Sequence, residues 1–173
     1  MYDRILVPTD GSDAATKAAV HGFGLAKYHT AAVDLLYVVD EPPPGTTDGA
    51  GGPGLFGEPG VTTYPERIDP VLEEMGSQAV DDLAGFADEL DVEAATEVLS
   101  GRPEEAISRF ADEQGVDLIV MGTRDRSGME RLLHRSTTDG VLRATTVPVL
   151  VVHADEDELG AENENEVGTE DEP

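Results

Sequence analysis

The chain has 173 residues, 37 Asp plus Glu against 11 Lys plus Arg, and a formal net charge of −26; that length suits one domain with a sizeable core and is short for two. So acidic a surface has no net positive charge with which to release counterions from a phosphate backbone, which excludes nucleic acid as a partner. No apolar run is long enough for a bilayer, Met1-Tyr2-Asp3-Arg4 lacks the apolar core of a secretory signal, and without cysteine there is neither a disulfide framework nor a thiolate zinc site.

The chain therefore reads as soluble and cytoplasmic. Self-repulsion on this scale is tolerated where salt near 1 M shortens the Debye length to about 3 Å. The acidic excess runs through the body of the sequence as well as its end, which points to a salt-loving host.

Arg4 to Thr9 is apolar throughout its middle and reads as a buried parallel strand. Asp10-Gly11-Ser12 is a turn with Ser12 as helix cap. Ala15, Ala18, Ala19, Gly22, Leu25 and Ala26 then recur at helical spacing, small enough to seat a helix close on a sheet. A second strand spans 32–39. Pro42, Pro43 and Pro44 open a glycine-rich run, and 40–64 reads as a mobile loop, either a flap over a ligand or an inert insertion. Ile68, Leu72, Met75, Ala79, Leu83, Phe86, Ala87 and Leu90 predict a long amphipathic helix. The alternation of Val92, Ala94, Thr96 and Val98 predicts a polar edge strand over 92–99. Pro103, Glu104 and Glu105 suit a helix start, Ala106, Ile107, Phe110 and Ala111 its inner face, and Gly115 a left-handed cap.

Asp117-Leu118-Ile119-Val120-Met121-Gly122 is a short buried strand that breaks into a loop with glycine and hydroxyl residues, and Ser136 then caps another helix, with Val141 and Leu142 inward. Arg124, Arg126, Arg131, Arg135 and Arg143 gather here against only Asp125, Glu130 and Asp139, a cationic island on an anionic chain. Strand, loop and helix start together make a seat for an anion. A last strand spans Val147 to Val152, and 154–173 reads as a disordered acidic tail after a single domain at 1–153.

This alternation implies an α/β fold: a right-handed, doubly wound five-stranded parallel sheet with helices on both faces, for which the expected strand order is 3-2-1-4-5. Ligands of such sheets lie beyond the carboxyl ends of the strands where their order reverses, here between the first and fourth. That position brings Asp10 to the arginine island.

Ile5-Leu6-Val7-Pro8-Thr9-Asp10-Gly11-Ser12, Leu118 to Gly128, and Val147-Pro148-Val149-Leu150-Val151-Val152 resemble, in that order and at those separations, the universal stress protein family. The resemblance covers about residues 1–153. It implies a stress-response homodimer that binds ATP or AMP, with Mg²⁺ as a companion ion, without being a dedicated catalyst. It also implies pairing of the last strand, Val147 to Val152, with its two-fold mate. In ATP-binding members the loop carries glycine, two residues, glycine, nine residues, then glycine followed by serine or threonine. Gly122 and Ser136 match the first and last positions, whereas Asp125 and Arg135 replace the second and third glycines. Asp125 puts negative charge where a triphosphate would lie, and Arg135 fills space, so weakened ATP binding is expected; a smaller phosphate ligand, or a metal held by Asp125, stays open.

By the same resemblance Pro8, Thr9, Asp10 and Val39 meet the adenosine side, while Gly122, Thr123, Arg124, Asp125, Gly128, Arg135, Ser136 and Thr137 lie on the phosphate side. Asp10 is equally a natural turn residue, and Ser136 a natural helix cap. His21, His29, His134 and His153 show no metal-ligand spacing, and no nucleophile has a sequence-marked base. Three functions remain: a nucleotide-responsive, non-enzymatic homodimer as the leading reading, a nucleotide-free dimeric interaction module, and a weak ATPase.

Overall fold

The computed structural model describes residues 2–40, 70–124 and 136–154. Its elements in chain order are β1 (Arg4–Thr9), α1 (Asp13–His29), β2 (Ala32–Asp40), α2 (Pro70–Glu89), β3 (Ala94–Gly101), α3 (Pro103–Gln114), β4 (Leu118–Arg124), α4 (Thr137–Ala144) and β5 (Val149–Ala154). The strands form one parallel sheet in the order β3-β2-β1-β4-β5, as the sequence predicts.

Two apolar layers sandwich the sheet. Ile5, Val7, Val33, Leu35, Leu118 and Val120 pack with Ala18, Phe23 and Val80 beneath α1 and α2. Leu6, Leu36, Ile119 and Met121 pack with Ile107, Ala111 and Val141 beneath α3 and α4. Alternation along β1 thus sends side chains to both layers, which is why its interior is apolar without a break. Small residues bring α1 close, and a Cβ on Gly22 would stand 2.8 Å from the Val7 side chain.

Strand ends and helix faces differ from expectation in several places. β4 does not break at Gly122 but runs on to Arg124, because Thr123 and Arg124 stay paired with His153 and Ala154 of β5. β3 begins at Ala94 rather than Val92, because Asp91 takes a left-handed conformation (φ 55°) and the Val92 N–H closes the end of α2 on the Ala87 carbonyl. β5 spans Val149–Ala154 rather than 147–152, because the Val147 N–H is held in a turn by the Thr145 hydroxyl. Along α2 the sheet-facing residues are Gly76, Val80, Leu83 and Ala87, so Leu72 and Met75 are exposed; the Tyr37 ring lies over Gly76 and sets that phase. On α4, Val141 is buried and Leu142 is exposed, since the short helix presents only one residue of that pair to the layer. The expectations for the run from Glu41 to Tyr64 and for the tail from Asp155 fall outside the described residues; Asp40 itself belongs to β2.

At the amino ends of the strands the Asp117 carboxylate accepts the N–H groups of Asp3 (2.8 Å) and Arg4 (3.0 Å). These bonds hold its pKa below the ordinary value, against a smaller effect of burial. The Arg4 guanidinium donates to both oxygens of the buried Asp34 carboxylate, at 2.5 and 2.9 Å, which pushes its own pKa higher still. This bidentate pair pins β1 to β2 beneath α3.

Candidate functional site

The β1–β4 ladder is the short one. β1 pairs with β2 along its whole length to Thr9, but with β4 only at Ile5–Leu118 and Leu6–Ile119. Pro8 has no N–H to continue the ladder, and the carboxyl ends of β1 and β4 are left without each other's hydrogen bonds where strand order reverses.

On the β1 side the chain turns at once. The Thr9 hydroxyl accepts the Gly11 N–H (3.1 Å), and Asp10 Oδ1 accepts the Ser12 N–H (3.0 Å). Gly11 takes φ 75°, which its neighbours could not adopt as cheaply. Ser12 then caps α1 through the Ala15 N–H (3.3 Å). Asp10 is therefore a turn-forming residue in this geometry, with an exposed side chain at the carboxyl end of β1. Thr9 is buried beside it.

On the β4 side Gly122 is wedged against α1. An ideal Cβ there would stand 2.3 Å from the Ala14 carbonyl carbon, so only glycine lets the first turn of α1 rest on the strand end. The Gly122 carbonyl in turn accepts a hydrogen bond from Thr138 Oγ1 (3.3 Å), which ties the first turn of α4 to the same residue. Gly140 completes the seating of α4, since a Cβ on it would meet the Glu104 Cβ at 2.7 Å. The starts of α1 and α4 thus converge on the end of β4 from two directions.

Pro8, Thr9, Asp10, Gly122, Thr123 and Arg124 all lie at the carboxyl ends of the two adjacent strands, and Ser136 and Thr137 stand at the start of α4, moored to them through Thr138. Val39 is buried near the end of β2, two residues beyond the Thr9–Tyr37 pair. Asp125, Gly128 and Arg135 fall outside the described residues. Of the arginines grouped by sequence, Arg143 lies in the last turn of α4, where a cation faces the carbonyl end of the helix rather than its anion-binding start. The two capping serines behave differently. Ser12 spends its hydroxyl on its own helix, whereas Ser136 makes no side-chain cap bond and is exposed. A helix start, whose first N–H groups have no intrahelical acceptor, is a place where an anion can be held.

Sequence reasoning missed Thr138. A signal was present: it stands three residues before Val141, hence on the same buried face. Among the described residues no group of three His, Cys, Asp or Glu side chains gathers as a metal site, and no helix is long and apolar enough to cross a membrane. A cleft of about 370 Å³ lies elsewhere, at the amino ends of β2 and β3 under α3, lined by Arg4, Asp34, Glu97, Arg109 and Phe110. None of its lining residues is among those at the carboxyl ends of β1 and β4, and its buried carboxylate is already satisfied by Arg4.

Comparison with known proteins agrees with this architecture. The sequence profile described as the universal stress protein family matches residues 1–153. Universal stress protein MJ0531 of Methanocaldococcus jannaschii is 38% identical over 152 residues, covering 88% of this chain and 82% of its own. The solved structure of protein MJ0577 from the same organism superposes with a TM-score of 0.69 at 26% identity, covering 90% of this chain and 98% of that one. A universal stress protein from Archaeoglobus fulgidus, solved in complex with dAMP, shares the fold at 19% identity, with a TM-score of 0.58 and coverage of 87% and 98%. Sheet order, the strand–turn–helix at Asp10 and the match along 1–153 lead to one assignment: this chain belongs to the universal stress protein family.

Proposed function

We propose that this chain is a stress-response protein that binds an adenine nucleotide at the β1–β4 crevice and acts without catalysis, as a cytoplasmic homodimer in a salt-rich cell. The observation that supports the reading is the convergence on Gly122: the first turn of α1, directly after the Asp10 turn, abuts this residue, and Thr138 ties the start of α4 to its carbonyl, an arrangement in which Asp10 would meet the nucleoside side and the Ser136–Thr137 helix start the phosphate side. The dAMP complex of the Archaeoglobus fulgidus protein supports the reading to the extent that the fold accommodates an adenylate. Weakened ATP affinity rests on Asp125 and Arg135 standing where family loops carry glycine. Mg²⁺ would accompany a di- or triphosphate. Dimerisation through β5 is supported by the exposed Leu150 on a strand whose outer edge has no described partner.

Calorimetric titration of the full chain with ATP, ADP and AMP, with Mg²⁺ in molar salt, tests the reading. Binding of AMP or ADP that is lost in Asp10→Ala is the expected result. No binding of any of the three leaves only the nucleotide-free interaction module, and ADP release in single-turnover assays would show the weak ATPase. Sedimentation of Leu150→Lys tests the interface, with a shift from dimer to monomer expected.

A further inference from the structure

We infer that Thr138 is a positioning residue for the phosphate end of this crevice, an inference that rests on the nucleotide reading above. Thr138 is only 7% exposed, while Ser136, Thr137 and Asp139 around it are exposed. A threonine deeper in a helix commonly bonds back to the carbonyl four residues earlier, but in the first turn no helical carbonyl stands there. The Thr138 hydroxyl instead reaches 3.3 Å across to the Gly122 carbonyl, sixteen residues back in the chain.

That acceptor is held in place. The Ala14 backbone leaves Gly122 no room on the α1 side, and the Gly122–Val152 pairing holds it on the β5 side. α4 is eight residues, about 12 Å long, with Val141 buried in its middle and Gly140 against Glu104. Around those contacts a short helix can rock, and the Thr138 bond fixes the amino end of that motion. Ser136 and Thr137, which precede it directly, have no other described tie of their own to β4. The hydroxyl therefore sets how far the helix-start donors stand from Asp10, without touching the ligand.

The test titrates AMP and adenosine against the native chain, Thr138→Val and Thr138→Ser in molar salt, alongside thermal unfolding of each. Valine keeps the shape and removes the hydroxyl, whereas serine keeps the hydroxyl. The expected result is a loss of about tenfold in AMP affinity for Thr138→Val, the scale of one net hydrogen bond, with adenosine affinity unchanged within about twofold and AMP binding restored in Thr138→Ser. Equal losses for AMP and adenosine would reduce Thr138 to a fold-stabilising role and overturn the inference. So would undiminished AMP binding in Thr138→Val, or a Thr138→Ser variant as weak as the valine one. If Thr138→Val does not fold, Thr138→Ala takes its place, and retained preference for AMP over adenosine there has the same force. A native chain that binds no AMP removes the nucleotide reading together with this inference, an outcome distinct from native and Thr138→Val binding AMP alike, which removes the inference alone.

Discussion

Gly122 and Ala14 meet where no side chain fits: an ideal Cβ on Gly122 would lie 2.2 Å from the Ala14 carbonyl oxygen and 2.7 Å from the Ala15 nitrogen. The obstructing atoms are helix backbone, so the clash cannot be relieved by a rotamer change. α1 begins directly after the Asp10 turn, and its first turn therefore holds that turn at the end of β4. Strand end, turn and helix are one rigid corner.

Gly122→Ala should lower stability by about 2 kcal/mol or more, since overpacking against backbone forces helix and strand apart. Gly24→Ala, on the open face of α1 where an added Cβ meets nothing within 4 Å, should raise it by about 0.5–1 kcal/mol. Chemical denaturation of the two variants gives opposite signs on this account. A Gly122→Ala protein as stable as the native one would mean the corner is loose.

Thr30 ends α1 at φ 58°, ψ 41°, with its N–H and that of Ala31 both donated to the Ala26 carbonyl. The left-handed conformation costs a β-branched residue roughly 1–2 kcal/mol, more than glycine's extra chain entropy in the unfolded state. Thr30→Gly should therefore stabilise the protein by about 0.5–1 kcal/mol, and Gly115→Ala, at φ 65° after α3, should destabilise it by a similar amount. Unfolding midpoints of the two variants should move in opposite directions.

These positions show what the sequence could and could not disclose. The alternation of strands and helices, the Ser12 cap and the Gly115 cap were legible because each depends on residues within one turn of itself. Handedness and chain order restricted the sheet to doubly wound arrangements without choosing among their strand orders, and the expected order 3-2-1-4-5 is the one the structure has. Thr30 was not legible as a left-handed cap, because a β-branched residue rarely takes positive φ; Asp91 takes it more readily, but the alternation from Val92 reads as strand, and the shift of β3 to Ala94 follows from its turn. Gly122 was singled out as a phosphate-loop glycine, but the described structure gives it a packing reason, and its partner Ala14 is more than a hundred residues distant in the chain. Thr138 belongs to the same class: its role exists only once α4 is docked on β4.

Asp117 supplies a pH dependence with a definite sign. Its folded pKa is depressed below the ordinary 3.8 because the carboxylate accepts the Asp3 and Arg4 N–H groups. A depressed folded pKa contributes stability that is present above the unfolded value and lost as pH falls through the folded one. Asp117→Ala should thus be less stable than the native chain near neutrality, with the gap narrowing as pH falls from about 4 toward the folded value. The difference between the two proteins is the quantity to follow, because neutralising carboxylates also relieves repulsion in a chain at −26. A gap that stays constant down to the acid transition would assign the Asp117 contribution to packing instead.

Asp125 and Arg135 carry the remaining prediction. By the loop spacing that ATP-binding family members are expected to carry, both would replace glycine, and each would then add a side chain to a stretch whose backbone approaches phosphate. A carboxylate 4 Å from a phosphate charge costs about 4 kcal/mol at an effective dielectric near 20, and less in concentrated salt. Half of that already exceeds a tenfold change in affinity. Arg135 opposes Asp125 in charge but occupies volume, so the two are best removed together. Asp125→Gly with Arg135→Gly should tighten ATP binding by about tenfold or more in calorimetry, with AMP gaining less because it brings fewer phosphate charges to the loop. Unchanged or weaker ATP affinity in the double variant would show that these two side chains do not govern the phosphate end of the crevice.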